Sequence, residues 1–286
     1  MISRLQRNRF VRGSIRRLRW QSIRWFGGPF RLPNFLIIGA GKAGTTSLHY
    51  WLSSHPDVFM PQSKESNFFA FRDEDTSKLD PIDRDWISSL RPNWTDYRDR
   101  FRNVTLEKRV GEASPMYLYH PAAAGCIAKD LPGVKLIAIL REPLECAYSN
   151  FRMLSRRGLE KREFLESVDE DRDAPLRYLV GSYLQKSSYS SQLMKYYSHF
   201  EKSQIRICFY EDMLRDSAAL VEDLMNFLEV DFRDFEFSGH AHNKAPSPTV
   251  VPADIRENLR SWALEETEKV EALTGRSLSE WRLKLA

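Results

Sequence analysis

Residues 34–54 read Asn34-Phe35-Leu36-Ile37-Ile38-Gly39-Ala40-Gly41-Lys42-Ala43-Gly44-Thr45-Thr46-Ser47-Leu48-His49-Tyr50-Trp51-Leu52-Ser53-Ser54, and their reading decides the fold. Phe35 to Ile38 is a short continuous apolar run ending in β-branched residues, the pattern of a buried parallel strand. Gly39, Gly41 and Gly44 punctuate a loop. Thr45-Thr46-Ser47 then opens a segment with apolar residues at Leu48, Trp51 and Leu52, at helical spacing. A strand, a glycine loop and a helix start form the arrangement that cradles phosphate on backbone N–H groups. Glycines alone would equally suit an ordinary tight turn between strand and helix. The run of hydroxyls and the lysine favour anion binding.

The lysine is not where a nucleotide triphosphatase would have it. A Walker A loop reads G-x-x-x-x-G-K-[ST], with the lysine after the last glycine. Counted from Gly39, the last glycine is Gly44, but Thr45 holds the lysine position and the lysine is Lys42, inside the loop. Gly39, Lys42, Gly44, Thr45 and Thr46 instead match Gly-x-x-Lys-x-Gly-Thr-[ST], and the segment resembles the 5′-phosphosulfate loop of sulfotransferases. That family draws its sulfuryl group from 3′-phosphoadenosine 5′-phosphosulfate (PAPS). The resemblance implies that Gly41, Lys42, Ala43, Gly44, Thr45, Thr46 and Ser47 line the donor site.

The 286 residues can bury a full core and suit one α/β domain with decorations. Cys126, Cys146 and Cys208 are widely spaced and include no C-x-x-C, so neither a disulfide framework nor a zinc site is expected, and a reducing, cytoplasmic setting fits. No apolar stretch approaches the length of a membrane-spanning helix, and no secretory leader pattern is seen. The net charge of +4 hides an asymmetry: residues 1–31 carry nine arginines and no acid, which leaves 34 basic against 39 acidic residues, or −5, on the remainder. The charge asymmetry divides the chain into a basic arm (1–31) and a body (32–286), and the resemblance implies that the body is the sulfotransferase domain. In the arm Val11, Ile15, Leu18 and Ser22 share a helical face flanked by Trp20, Trp25 and Phe26. This composition suits an anionic membrane surface, a solvated extension or an organelle transit peptide. It gives no reason to expect nucleic acid.

Further along, Val58–Met60 and Arg109–Ala113 read as short strands, Val134–Leu140 and Ile205–Phe209 as longer ones. Helices are expected at 84–90, 94–101, 122–130, from Pro143 onward, across 160–200, after Tyr210-Glu211-Asp212 to Leu228 and at 253–273. Residues 72–79 read as a polar surface loop, and 238–252, with Gly239 and three prolines, as another. Strands alternating with helices imply a three-layer, P-loop-like α/β fold with a central, mostly parallel sheet and helices on both faces. Ligands then sit outside the carboxyl ends of the strands, so the loops after Ile38, Ala113, Leu140 and Phe209 should converge.

The second phosphate element is Leu140-Arg141-Glu142-Pro143, with Ser149 two helical turns on. An arginine at a strand end can grip phosphate bidentately and a helix serine can add a donor, although such an arginine also serves as an ordinary surface ion-pair partner. The stretch Leu136-Ile137-Ala138-Ile139-Leu140-Arg141-Glu142-Pro143 is similar to the 3′-phosphate segment of sulfotransferases, which implies that Arg141 and Ser149 hold the donor's 3′-phosphate. Ile205–Met213 resembles the family's strand and Tyr-Glu-Asp turn, which brings Tyr210 forward as a contact to the nucleotide. Asn243 and Lys244 are carried as further nucleotide contacts. Leu273-Thr274-Gly275 with Trp281 resembles the close of bacterial sulfotransferases.

For acid–base work the resemblance points to Glu65. Lys64-Glu65-Ser66-Asn67-Phe68-Phe69 is similar to the heparan sulfate sulfotransferase pattern, in which a glutamate shortly before a Phe-Phe pair is the base. A Lys-Glu pair is otherwise most often solvated. The cytosolic enzymes place a histidine after the next strand, and some heparan-type enzymes a lysine near it; Gly111-Glu112-Ala113-Ser114-Pro115 has neither. His49, His120, His240 and His242 lack metal-ligand spacing, and no metal is expected. The expected reaction moves a sulfuryl group from PAPS to a hydroxyl or amine, on a carbohydrate or lipid-linked acceptor, with Lys42 offsetting charge on the leaving group and Glu65 taking the proton. Two other readings remain at this stage. A P-loop kinase or triphosphatase would use Glu211-Asp212 on magnesium, and a non-catalytic adapter would use the fold only to bind.

Overall fold

The apolar run becomes the central strand β1 (Phe35–Gly39), buried at every position. The computed structural model describes residues 31–90, 92–232 and 250–285. Among these, β2 (Val58–Phe59), β3 (Arg109–Ala113), β4 (Lys135–Leu140) and β5 (Ile205–Phe209) complete a five-stranded sheet in the order β2-β3-β1-β4-β5. All four pairings are parallel. Phe35 lies opposite Gly111 of β3 and Lys135 of β4. Helices cover both faces, so β1 and β4 show no polar alternation.

The chain leaves β1 towards β2 and β3, then returns across it to β4 and β5. This reversal opens a crevice at the carboxyl ends of β1, β3 and β4, where open α/β sheets hold ligands. The loops after Gly39, Ala113, Leu140 and Phe209 all emerge at that end. The main core surrounds the sheet, and a second apolar cluster of Leu144, Phe151, Leu154, Phe164, Tyr183 and Ile255 joins the helix Pro143–Arg156 to the C-terminal helices. The helix Pro143–Arg156 has proline at its first position, and the buried Glu142 carboxylate accepts from the N–H groups of Leu144 (3.0 Å) and Glu145 (2.7 Å). The helix Ala253–Thr274 ends on Gly275 in the left-handed region, as its Thr-Gly signal predicts.

Three expected elements differ. The helix across 160–200 is broken into Phe164–Asp171, Tyr183–Lys186 and Tyr189–Tyr197. Pro175 and the left-handed Gly181 and Ser182 interrupt it, and two buried carboxylates replace helical acceptors. Asp83 accepts from the N–H groups of Tyr178 and Leu179, each at 2.7 Å, and Asp171 from that of Ser182 at 2.6 Å. The Tyr210-Glu211-Asp212 segment, expected as a turn, already opens a helix. The helix expected to reach Leu228 is two, Tyr210–Arg215 and Ser217–Phe227, because Asp216 leaves helical geometry and its side chain caps the second. Arg72 is not a loop surface residue. Its guanidinium is buried, paired with Asp130 and set over the rings of Phe68, Phe69 and Trp94.

No helix among the described residues is long and apolar enough to cross a membrane. The amphipathic part of the basic arm, and Asn243 and Lys244, lie outside the described residues. Arg31, the last arginine of the arm, donates to the carbonyl of Glu107 at 2.7 Å.

Candidate active site

The loop after β1 turns into the helix Thr45–Ser53 through two left-handed residues, Lys42 (φ 67°) and Gly44 (φ 106°). At Gly44 a β-carbon would fall 2.7 Å from Met213 Cε and 2.9 Å from its sulfur, so the loop backbone sits directly on the turn that follows β5. A glycine here satisfies both the backbone angle and the close approach. Ala43, Thr45 and Ser47 are buried, Lys42, Gly44 and Thr46 half-buried, and Gly41 exposed. The Gly41 carbonyl accepts from Cys146 Sγ at 3.0 Å, which ties the loop to the helix Pro143–Arg156.

Arg141 stands at the end of β4, facing that loop. Its Nη1 approaches the Lys42 carbonyl at 3.5 Å, while Nε and Nη2 both donate to Glu145 Oε2 at 3.1 Å. The guanidinium lies 4.8 Å from the centre of the Tyr210 ring, and Tyr210 also borders Gly44. Ser149 is half-buried on the helix Pro143–Arg156, four residues beyond Glu145 and so on the same face. Met153 continues that face, and its sulfur receives Lys42 Nζ at 3.5 Å.

The other side of the crevice is built by β3 and residues 64–67. The N–H of Glu65 donates to the Ala113 carbonyl at 3.0 Å, with Glu65 (φ 62°) and Asn67 (φ 50°) both left-handed. Buried Glu112 anchors the turn: its Oε1 accepts from Ser66 Oγ at 2.9 Å and from Ser114 Oγ, and Ser114 Oγ accepts the Asn67 N–H at 3.0 Å. Burial raises the pKa of Glu112 above the ordinary carboxylate value. The Glu65 side chain is 52% exposed, at the mouth of the crevice. Its neighbour Lys64 turns inward, 14% exposed, and donates from Nζ to Thr46 Oγ1 at 2.8 Å.

The electrostatics on the β4 side suit a ligand bearing several anionic groups. Burial lowers the pKa of Lys42, and the nearby guanidiniums of Arg157, Arg141 and Arg156 lower it further. Lys42 and these guanidiniums thus make the β4 side of the loop positive, and the first turn of the helix Thr45–Ser53 adds a partial positive charge. Such an arrangement fits the phosphate and sulfate groups of a nucleotide phosphosulfate. The crevice therefore brings together Lys42, the loop residues Gly41–Ser47, Arg141 and Tyr210 on one side, with Ser149 further along the helix face of Glu145, and carries Glu65 on the other.

Sequence reasoning missed Glu145, Lys284, Glu112 and Lys64. Glu145 had a readable signal, its i,i+4 spacing from Arg141. Lys284 Nζ reaches Glu145 Oε2 (3.1 Å) and Glu211 Oε1 (2.9 Å) from the last helix, a long-range contact with no local signature. Glu112 sits in a strand otherwise apolar at its end, a mark of a buried polar anchor. Lys64 was visible only as half of a solvated pair.

Comparison with known proteins gives a consistent result. The model of the sulfotransferase family matches residues 33–234. A crystal structure of a sulfotransferase from Alicyclobacillus acidocaldarius superposes with a TM-score of 0.75 at 31% identity, over 88% of this chain and 99% of that one. The membrane-associated sulfotransferase kil1 of Dictyostelium discoideum is 31% identical over 120 residues, 42% of this chain and 22% of that protein. The bifunctional heparan sulfate N-deacetylase/N-sulfotransferase 1 of Caenorhabditis briggsae is 28% identical over 223 residues, 73% of this chain and 24% of that protein. The chain thus spans less than a quarter of the length of these two curated relatives.

Proposed function

The chain belongs to the sulfotransferase family, and from that premise we propose that it transfers a sulfuryl group from PAPS to a hydroxyl or amine of a carbohydrate acceptor, free or lipid-linked. The observation that carries the donor reading is the approach of Arg141 Nη1 to the Lys42 carbonyl, 99 residues apart in sequence. It joins a loop suited to the 5′-phosphosulfate with an arginine suited to the 3′-phosphate in one crevice. The likeness to a heparan sulfate N-sulfotransferase supports a glycan acceptor. A triphosphatase reading draws no support at the loop, where Thr45 holds the lysine position and Thr46 bonds to Lys64.

In this reading Lys42 and the loop N–H groups hold the 5′-phosphate and offset the charge that builds on it as the donor's S–O bond breaks. Arg141, with Ser149 and Tyr210 beside it, grips the unreactive end of the donor and fixes its orientation. Glu65, at the open mouth, meets the acceptor and removes its proton as its oxygen or nitrogen attacks sulfur. The electron pair of the broken S–O bond stays on the phosphate, and adenosine 3′,5′-bisphosphate departs.

The experiment has two arms. Calorimetric titration with adenosine 3′,5′-bisphosphate tests the donor site. Incubation with radiolabelled PAPS and separate pools of glycans, glycolipids and phenols tests the acceptor class. Label in the glycan or glycolipid pool supports the reading, and label confined to phenols overturns the acceptor class. The arginine-rich arm supports a further part of the proposal, contact with an anionic membrane surface. Co-sedimentation with anionic vesicles should then be strong at low salt and screened at high salt.

A further inference from the structure

A lysine beside a glutamate on a surface turn would ordinarily extend into water. Lys64 does the reverse. Its ammonium is drawn under the turn and donates to Thr46 Oγ1 at 2.8 Å, in the first turn of the helix that follows the glycine loop. Its other charged neighbour on the turn is Glu65, whose Oε1 lies 3.7 Å away and whose side chain is largely in solvent. The positive end of a helix dipole is an unfavourable place for a cation, and burial adds to the cost. Burial still lowers the pKa of Lys64, and a hydroxyl, one solvated carboxylate and the buried Glu112 carboxylate offset only part of that cost. An anion arriving at the helix N-terminus would offset it.

The two lysines of the crevice point opposite ways. Lys42 reaches towards Met153 and the arginines beside β4, and Lys64 towards Thr46 from the β3 side. Lys64 Nζ thus links Thr46, on the loop helix, at 2.8 Å to the exposed Glu65 carboxylate at 3.7 Å. We propose that Lys64 is a catalytic residue of the donor site, its ammonium bonding the sulfuryl oxygens of PAPS while Lys42 serves the leaving 5′-phosphate. This rests on the sulfotransferase reading. As the acceptor's electron pair forms the new bond to sulfur and the S–O bond to phosphate breaks, Lys64 keeps its protons and its contact with the travelling group. The acceptor proton goes to Glu65. Lys64 also holds that carboxylate beside the path of transfer.

The test uses a ligand pair that differs only in the sulfuryl group. Wild type, Lys64→Met and Lys64→Gln are titrated with adenosine 3′,5′-bisphosphate and, without acceptor, with PAPS. Thermal melts of each variant accompany the titrations. Loss of a charge-assisted bond should weaken PAPS binding about tenfold or more while bisphosphate affinity stays within about twofold. The selective loss should appear in both variants, each melting near wild type. Equal loss on both ligands would make Lys64 a support for Thr46 and overturn the proposal, as would unchanged affinity for both. If wild type binds neither ligand, the donor reading itself falls and the proposal falls with it.

Discussion

Arg141 and Glu145 are joined through a single oxygen: Nε and Nη2 of the arginine both donate to Glu145 Oε2 at 3.1 Å. Lys284 reaches the same oxygen at 3.1 Å, so one carboxylate is shared by two cations. The sharing holds the guanidinium against the Tyr210 ring with Nη1 turned to the phosphate loop, where a ligand phosphate could take over the fork.

The first expectation follows from that geometry. Arg141→Ala should weaken binding of adenosine 3′,5′-bisphosphate by about ten- to a hundredfold, the range of one charge-assisted bidentate contact. At saturating donor, kcat should fall much less, because the 3′-phosphate does not react and its binding is largely uniform. Arg141→Lys should recover little, since one ammonium cannot reproduce the fork. Calorimetry decides it. Wild-type affinity in Arg141→Ala would leave Arg141 as only an i,i+4 partner of Glu145.

Gly44 makes a separable claim about the loop. Gly44→Ala places a side chain at φ 106°, which costs about 1–2 kcal/mol for an L-residue, and drives it into Met213. Thermal melts should show lower stability, and bisphosphate binding should weaken as the loop shifts. Adding Met213→Ala removes the crowding but not the backbone cost, so the double mutant should recover only in part. Complete recovery would mean that crowding alone demands the glycine.

Most of the architecture was legible because two signals are local. The apolar runs at 35–38 and 134–140 are short and rich in β-branched residues, as doubly covered strands are, and the glycines at 39, 41 and 44 mark the turn from strand to helix. What stayed hidden depends on distant partners. Pro175 and Gly181 mark a break within 172–182, but the acceptors for the freed N–H groups of Tyr178 and Leu179 come from Asp83, 95 and 96 residues earlier, on another element. Likewise Lys64-Glu65 reads as one solvated pair, yet the fold buries the lysine ammonium against Thr46 and leaves the carboxylate, 3.7 Å away, largely in solvent. No pattern within the segment encodes that split.

A pH dependence follows from His49. It lies buried on the phosphate-loop helix with Nδ1 lacking a hydrogen-bond partner among the described residues. Burial, with Lys64 nearby, lowers its pKa from 6.5 to about 4. The folded state therefore binds fewer protons than the unfolded chain between those values, so stability is full above pH 6.5 and falls as pH drops towards 4. The contribution is on the order of 3 kcal/mol across the window. His120, lowered likewise to about 4 by burial, titrates over the same window. His49→Leu should therefore reduce the slope of this limb by about half in denaturant unfolding at pH 7, 6 and 5. An equally steep loss in the variant would assign the acid sensitivity to other groups.

Glu65 carries the sharpest expectation, because its exposed carboxylate reads equally well as a solvated ion and as a base waiting for an acceptor. Glu65→Gln keeps the shape and removes the proton acceptor. If Glu65 is the base, turnover should fall by about two to four orders of magnitude, the usual range for a positioned general base. Bisphosphate affinity should barely change, since the side chain stands on the acceptor side of Lys64. Where chemistry limits the rate, the limb of the pH–rate profile that reports deprotonation of the base should disappear. Glu65→Asp, one methylene shorter, should recover part of the rate and restore the limb, which a purely electrostatic partner of Lys64 would not require. Lys42→Ala should be comparably damaging through the leaving group, so its loss should not vary with the pKa of the acceptor, whereas that of Glu65→Gln should. Near-normal turnover in Glu65→Gln would return the residue to the solvated surface, and the proton would then need an acceptor elsewhere in the crevice.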